Sequence, residues 1–259
     1  MAIDFHDKKN RFTYTNRFAD ESWMNTIQSL IPIEKIHHAV DVGCGGGIYS
    51  KALLEMGVDF VTGVDFSKES LQGAKENCKQ IPNISFSYGS ALHTGLQGEQ
   101  FNLVLERALI HHLTDLQACF REALRLLKEN GYFIIQDRTP EDCMLQGNET
   151  HIRGYFFELF PRLQEIETQR RHSSKSVINN LKCVGFKDIK EYTLWETRKV
   201  YDKKKQLLKE LSERTGRSIL HELNNKELQL LQRYIDTSIK SDNNIVEQDR
   251  WTIWTAVKK

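Results

Sequence analysis

The sequence predicts an α/β fold, doubly wound about a mostly parallel sheet of seven strands. Three observations carry this. Short apolar or β-branched runs alternate with amphipathic helical patterns between residues 36 and 138. A glycine cluster, AVDVGCGGGIYS over residues 39–50, joins the first such run directly to the first helical pattern. An acidic residue, Asp65, closes the second run.

The elements follow in order. HHAVDVG reads as a buried strand. IYSKALLEMG reads as a helix, with Ile48, Ala52, Leu53 and Met56 near helical spacing and Gly57 as its stop. DFVTGVDFS is the second strand and KESLQGAKENCKQ the second helix, with Pro82 just beyond it. ISFSYGS and FNLVLER are strands three and four. In TDLQACFREALRLLKENG, Thr114 and Gln117 have the spacing of a capping box. Leu116, Cys119, Phe120, Ala123, Leu126 and Leu127 form its apolar stripe, and Asn130-Gly131 ends it. YFIIQD is the fifth strand. Residues 150–183 are mainly helical and carry Arg153, Arg162, Arg170 and Arg171. GFKDIKEYTLWE and VEQDRWTIWTAVKK supply strands six and seven, and the charged stretch 200–245 between them reads as a helical insertion or cap. The expected organisation is an N-terminal helical segment over 1–35, a sheet domain over 36–199 and 246–259, and the 200–245 insertion.

Composition narrows the function. The 259 residues are 39% hydrophobic and 27% charged, as in a soluble globular chain. With 36 Lys+Arg against 35 Asp+Glu, the net charge of +1 gives no whole-protein argument for nucleic acid or an anionic membrane. No apolar run approaches the roughly 20 residues that span a bilayer. The five cysteines never form CxxC, which argues against a disulfide framework or a metal site and for a cytoplasmic location.

A glycine loop between strand and helix lets a ligand approach backbone N–H groups. A P-loop would need Gly-Lys-Ser/Thr, which is absent. The dinucleotide pattern GxGxxG/A fails from Gly43, at Ile48, and from Gly45, at Ser50. The spacing present is Asp41-x-Gly43-x-Gly45-x-Gly47, which suits a ligand without a pyrophosphate. Asp65, about 20 residues on, stands where an acid can accept from ribose hydroxyls.

DVGCGGG, GVDFS, YGSA, FNLVLERALIHHL and ACFREALRLLKENGYFIIQD, in this order, resemble the class I S-adenosylmethionine-dependent methyltransferases, most closely the group acting on small molecules. The resemblance covers residues 36–138 and implies a Rossmann-like fold with S-adenosylmethionine as cofactor. It further implies that the backbone of Gly43, Cys44, Gly45 and Gly47 faces the methionine part, and that Asp41 orients the loop or the cofactor's ammonium. Asp65 would hold the ribose and Phe66 pack on the adenine. Ser90 and Ala91 would lie at the adenine edge, and Glu106 and Arg107 near the sulfonium. Two departures stand out: Ser90 replaces the family's frequent Asp, and Asn102 the usual Asp of its FDLV stretch. Glu106 and Arg107 are also large for their place, which leaves open that they pair as a clamp.

The implied reaction needs alignment of acceptor and methyl group and, for a protic acceptor, a base. His111 and His151 are the candidate catalytic bases. Phe12, Tyr14 and Phe18 are candidates to fold over the cofactor. The arginines of 150–175 read either as a site for an acidic acceptor or as exposed helix charges. The expected partner is a small-molecule acceptor. The alternatives are an RNA or protein methyltransferase, kept open by Lys203, Lys204 and Lys205, and a non-catalytic protein that binds the cofactor.

Overall fold

The computed structural model describes residues 18–259; Phe12 and Tyr14 lie outside them. Helix α1 (Glu21–Leu30) precedes β1 (His38–Val42), α2 (Ile48–Glu55), β2 (Phe60–Asp65), α3 (Lys68–Asn77), β3 (Ile84–Tyr88) and β4 (Phe101–Arg107). Then come α4 (Leu116–Leu126), β5 (Leu127–Asp137), α5 (Pro140–Cys143), α6 (Gly154–Leu159), α7 (Arg162–Gln169) and α8 (Ser174–Val184). The chain closes with β6 (Lys187–Lys203), α9 (Lys204–Ser212), α10 (Asn225–Ser238) and β7 (Asn243–Val257). The seven strands form one sheet in the order β3-β2-β1-β4-β5-β7-β6. The first five are parallel and β7 runs antiparallel to β5.

Packing divides the described residues into two compact units. One takes in the chain up to Asp137 together with Ser174–Leu194 and Thr252–Lys259; the other takes in Arg138–Ser173 and Trp195–Trp251. The second is wider than the 200–245 stretch expected as an insertion, which holds α9 and α10.

The first unit has an apolar core on each face of its strands, because successive side chains of a strand point to opposite faces. On one face Val40, Val42, Val104, Phe133 and Ile135 meet Phe120 and Ala123 of α4 and Val177 and Leu181 of α8. On the other, Ala39, Leu103, Leu105 and Ile134 meet Trp23 and Ile27 of α1 and Ala52 and Leu53 of α2. Trp23 is the largest of these, and its indole N–H is satisfied by the Gln136 side-chain oxygen at 2.6 Å. The second unit has its own core, built on Phe156, Leu163, Leu207, Leu231 and Ile235.

Two expectations need correcting. The cap of α4 is Asp115, whose carboxylate accepts from Ala118 N–H at 2.9 Å, in place of Thr114. The helix ends at Leu126 rather than at Asn130-Gly131, so Leu127 opens β5 and the register slips between Phe101 and Leu103. The last strand lies between β5 and β6, and Trp251 to Ala256 are buried on both faces.

The arginines do not form an exposed stripe. Arg153 is buried, 3.3 Å from Asp249 through Nε and 3.7 Å from Glu167. Arg171 lies 2.7 Å from Glu167, and Arg170 pairs with the same carboxylate. Arg171, Arg153 and Arg170 hold the Glu167 carboxyl, and Arg138 and Arg153 the Asp249 carboxyl, well below the usual carboxylate range despite their burial. Arg162, by contrast, is half exposed and pairs with Glu227 at 2.8 Å.

Candidate active site

The carboxyl ends of β1, β2, β4 and β5 converge where strand order reverses. β1 lies between β2 and β4, with Val42 opposite both Val64 and Glu106. A crevice at such a point is where open α/β sheets bind ligands.

The glycine loop fills the turn after β1. Gly43 and Gly47 have φ of +78° and +77°, in the left-handed region that costs other residues about 1–2 kcal/mol. A side chain at Gly43 would meet Leu109 at 3.0 Å, and one at Gly47 would meet Phe86 at 3.1 Å. Gly45 shares the left-handed region, at φ +51°, but a Cβ there would have nothing within 4 Å. The loop is thus clamped at both ends and open in its middle, where backbone can be approached closely.

Asp65 braces that open middle. Its Oδ2 accepts from Gly45 N–H at 2.9 Å and its Oδ1 from Ser67 N–H at 2.8 Å. Its main-chain oxygen accepts from Gly89 N–H at 3.2 Å, tying in the step after β3. Phe66 is 44% exposed and Tyr88 60%, and with Lys68 and Glu69 they line an open recess beside Asp65. Ser90 sits in a tight turn, with its Oγ accepting from His93 N–H at 3.1 Å, while Ala91 packs into the core. Tyr88 and Lys68 were not singled out from the sequence; the aromatic that opens the YGSA step was the available signal.

Asp41 and Glu106 are buried carboxyls. Asp41 accepts from Ser50 Oγ at 2.6 Å, and burial, aided by the charge of Asp65, raises its pKa to about 6. Cys44 is buried in the loop, and burial pushes its thiol well up. Glu106 faces Cys119 of α4, with Sγ 3.1 and 3.3 Å from its two oxygens, and burial pushes its pKa up to about 8. Arg107 points to the opposite face. Its guanidinium lies 3.9 Å above the Tyr49 ring and its Nε donates to Gln136 at 3.2 Å. The Glu106–Arg107 clamp therefore does not form, because adjacent strand residues face opposite ways. Phe18 is 85% exposed, with Lys51 Nζ 5.6 Å from its ring centroid.

The two candidate bases lie in different units. His111 stands in a short 3-10 turn, Ile110–His112, after β4. Its Nδ1 is 2.8 and 3.0 Å from the two oxygens of Asp137 at the end of β5, and its ring packs 4.0 Å from His112. Asp137 was not foreseen, since nothing local to YFIIQD points at a residue 26 positions away. His151 belongs to the second unit. Its Nδ1 faces the Gln248 carbonyl at 3.1 Å, its ring meets Trp195 edge-on, and burial lowers its pKa.

A model of the methyltransferase-domain family matches residues 33–248. The chain belongs to this family, within the class I S-adenosylmethionine-dependent methyltransferases. Among curated relatives, it is similar to an uncharacterized methyltransferase of Bacillus subtilis, 29% identical over 119 residues, 45% of this chain and 47% of that one. The chain thus spans about half the length of that relative. Among solved structures it is similar to a protein described as a methyltransferase from an antibiotic biosynthesis pathway in Anabaena variabilis. That match has a TM-score of 0.69 and 20% identity, over 92% of this chain and 98% of that one. Phosphoethanolamine N-methyltransferase 2 of Haemonchus contortus, solved with S-adenosyl-L-methionine, matches with a TM-score of 0.59 and 19% identity, over 99% of this chain and 60% of that one. At these identities the structures speak for the fold. Among the described residues, no helix is long and apolar enough to cross a membrane.

Proposed function

We propose that the protein is a cytoplasmic methyltransferase that transfers a methyl group from S-adenosylmethionine to a small-molecule acceptor. The observation that carries this is the hydrogen bond from Gly45 N–H to Asp65, which ties the open middle of the glycine loop to the acid at the end of β2. The residues fit the cofactor. Gly45 leaves space where its methionine part would lie against backbone, Asp65 stands at the end of β2 where an acid can meet ribose hydroxyls, and the Phe66 and Tyr88 rings offer apolar surface for a base. Asp41, at the root of the loop, would face the ammonium. Glu106 and Arg107 flank the crevice: Glu106 supports it from the α4 side, and Arg107, stacked on Tyr49, borders its mouth.

When bound, the cofactor supplies an electrophilic methyl group on a sulfonium sulfur. The chain aligns the acceptor, excludes water and moves the acceptor's proton. His111 and His151 are the proposed bases. The name of the Haemonchus contortus neighbour gives a small amine as acceptor on the same fold, which supports a small-molecule reading here. The basic run that kept nucleic acid open is partly engaged within the fold, since Lys204 pairs with Asp236 at 3.2 Å and Asp242 at 3.1 Å.

Thermal unfolding with S-adenosylmethionine, S-adenosylhomocysteine and NAD in parallel tests the reading. At 100 times Kd a ligand adds about 2.7 kcal/mol, a rise of about 5–10 °C for a chain of this size. A rise with the first two ligands alone is expected; a rise with NAD alone, or with none, rejects the assignment.

A further inference from the structure

Near its carboxyl end, β4 turns an acid, Glu106, into the α4 side of the core, where a buried carboxyl would want a counter-ion. Glu106 is 1% exposed. Among the described residues its hydrogen-bond partner is the Cys119 thiol, with Sγ 3.1 and 3.3 Å from the two carboxyl oxygens, and no ion pair reaches it. Its neighbours in register, Val42 of β1 and Ile135 of β5, are apolar. A buried carboxylate without a cation is costly, so the group keeps its proton instead; burial pushes this one up to about 8.

The charges around it are engaged elsewhere. Asp41 of β1 and Arg107 of β4 alternate to the other face, where Asp41 accepts from Ser50 and Arg107 stacks on Tyr49. On α4, Glu122 pairs with Arg125 at 2.7 Å, and Asp115 caps the helix at Ala118 N–H. After β4, His111 faces Asp137. On the same face α8 brings Val177 and Leu181. Burial and Glu106 itself hold the Cys119 thiol well up, so it stays S–H and brings no charge. The acid is nevertheless close to the glycine loop. Val42, beside it in register, directly precedes Gly43, and Leu109, three residues on from Glu106, fills the space against Gly43. A carboxyl without a cation thus lies under the crevice that the proposed cofactor would enter as a cation.

We propose that Glu106 senses the charge of the cofactor: it gives up its proton when the bound sulfur is a cationic sulfonium and takes one back when the sulfur is neutral, so the site prefers the methyl donor to its spent product. This rests on the methyltransferase reading above. An opposite charge at close range favours the ionised form of a carboxyl, by about one pH unit or more. The coupling is reciprocal, so ionised Glu106 strengthens binding of the sulfonium by the same factor, about tenfold per pH unit. The proton leaves to solvent as S-adenosylmethionine binds. Once the methyl group has passed to the acceptor, the electron pair of the broken bond rests on a neutral sulfur, and Glu106 recovers a proton from solvent. The net proton balance of the reaction is unchanged. A carboxyl that only fills space, shielded from the crevice, would leave both ligands with the same proton count.

Calorimetric titration of the full chain counts the protons, from the binding heat at pH 7.5 in buffers of different ionisation enthalpy. Glu106→Gln is the reference, since protons exchanged by the ligands' own groups and by Asp41 cancel between the two proteins. A fall of one pH unit from about 8 frees about half a proton at pH 7.5. Wild type should therefore release at least about half a proton more than the variant with S-adenosylmethionine, and the same number as the variant with S-adenosylhomocysteine. Relative to the variant, its preference for S-adenosylmethionine over S-adenosylhomocysteine should rise about sevenfold or more from pH 6 to pH 8.5. In infrared difference spectra of wild type, S-adenosylmethionine should remove a protonated-carboxyl band that S-adenosylhomocysteine leaves in place. A variant-corrected proton count equal for the two ligands overturns the proposal, as does a preference that follows the variant's across pH. An unchanged carboxyl band overturns it even if the variant fails to fold. If neither ligand binds wild type, the methyltransferase reading itself fails and the proposal falls with it; binding of both with equal counts removes the proposal alone.

Discussion

Glu106→Gln should make the protein more stable, and increasingly so as pH rises. Glu106 is buried at the end of β4 with a thiol as its neighbour, and burial raises its pKa from 4.5 to about 8. The sign follows from linkage. Below pH 4.5 the carboxyl is protonated in both folded and unfolded chains, and its contribution to stability is fully present. Between 4.5 and about 8 the unfolded chain ionises while the folded one does not, so stability falls by about 1.4 kcal/mol per pH unit. Above about 8 the loss levels off. The loss from this one residue is about 3 kcal/mol at pH 7 and at most about 5 kcal/mol at pH 9. Glutamine keeps the shape and cannot ionise. Urea unfolding followed by circular dichroism at pH 5, 7 and 9 gives the difference between variant and wild type, in which the other titrating groups cancel. That difference should widen by about 4 kcal/mol from pH 5 to pH 9. A flat difference across the range would show that Glu106 ionises in the folded protein and that the buried-acid reading is wrong.

Other perturbations probe the loop and the second unit. Gly47→Ala should cost about 1–3 kcal/mol of stability, from its positive φ and the contact with Phe86, read as a lower melting temperature. Gly45→Ala should cost about 1–2 kcal/mol of stability through its φ of +51°, and should lower S-adenosylhomocysteine affinity by more than that, since its new methyl group enters the open space offered to the ligand; calorimetry and melting on the same sample compare the two. Affinity for S-adenosylhomocysteine should rise as pH climbs through about 6, where Asp41 ionises, and hold steady above it; in Asp41→Asn that step should vanish from titrations at pH 5 and 7.5. Glu167→Gln should destabilise by about 3–5 kcal/mol by leaving Arg153, Arg170 and Arg171 short of a buried partner, and a melt within 1 °C of wild type would rule out that role.

The first five strands and the glycine loop were legible because their signals are local: an apolar run, a stop, a cluster that only a tight turn explains. Asp65 was legible because its distance from the loop is fixed by one helix and one strand. Thr114 was misread by one position, as the stronger acceptor Asp115 beside it caps the helix by a single bond from Ala118 N–H, without a capping box. The end of α4 was misread because residues 128–131 bulge out of β5 rather than finishing a helix. What the sequence could not yield was pairing across long separations. Asp137 meets His111, Cys119 meets Glu106, and Arg153 meets Asp249, 96 positions away, only because the strands bring them together. The burial of Arg153 and Arg171 was hidden for the same reason, since the carboxylate beneath them lies in a helix whose pattern is otherwise polar.

The most direct test of the central claim is a calorimetric titration of S-adenosylhomocysteine into wild type and Asp65→Ala. Wild type should bind with one site per chain. The variant should remain folded and bind at least about 30-fold more weakly, as expected for losing hydrogen bonds to a charged acceptor together with the brace on Gly45. Equal affinity in the two folded proteins would contradict the claim that the glycine loop and Asp65 together form the cofactor site.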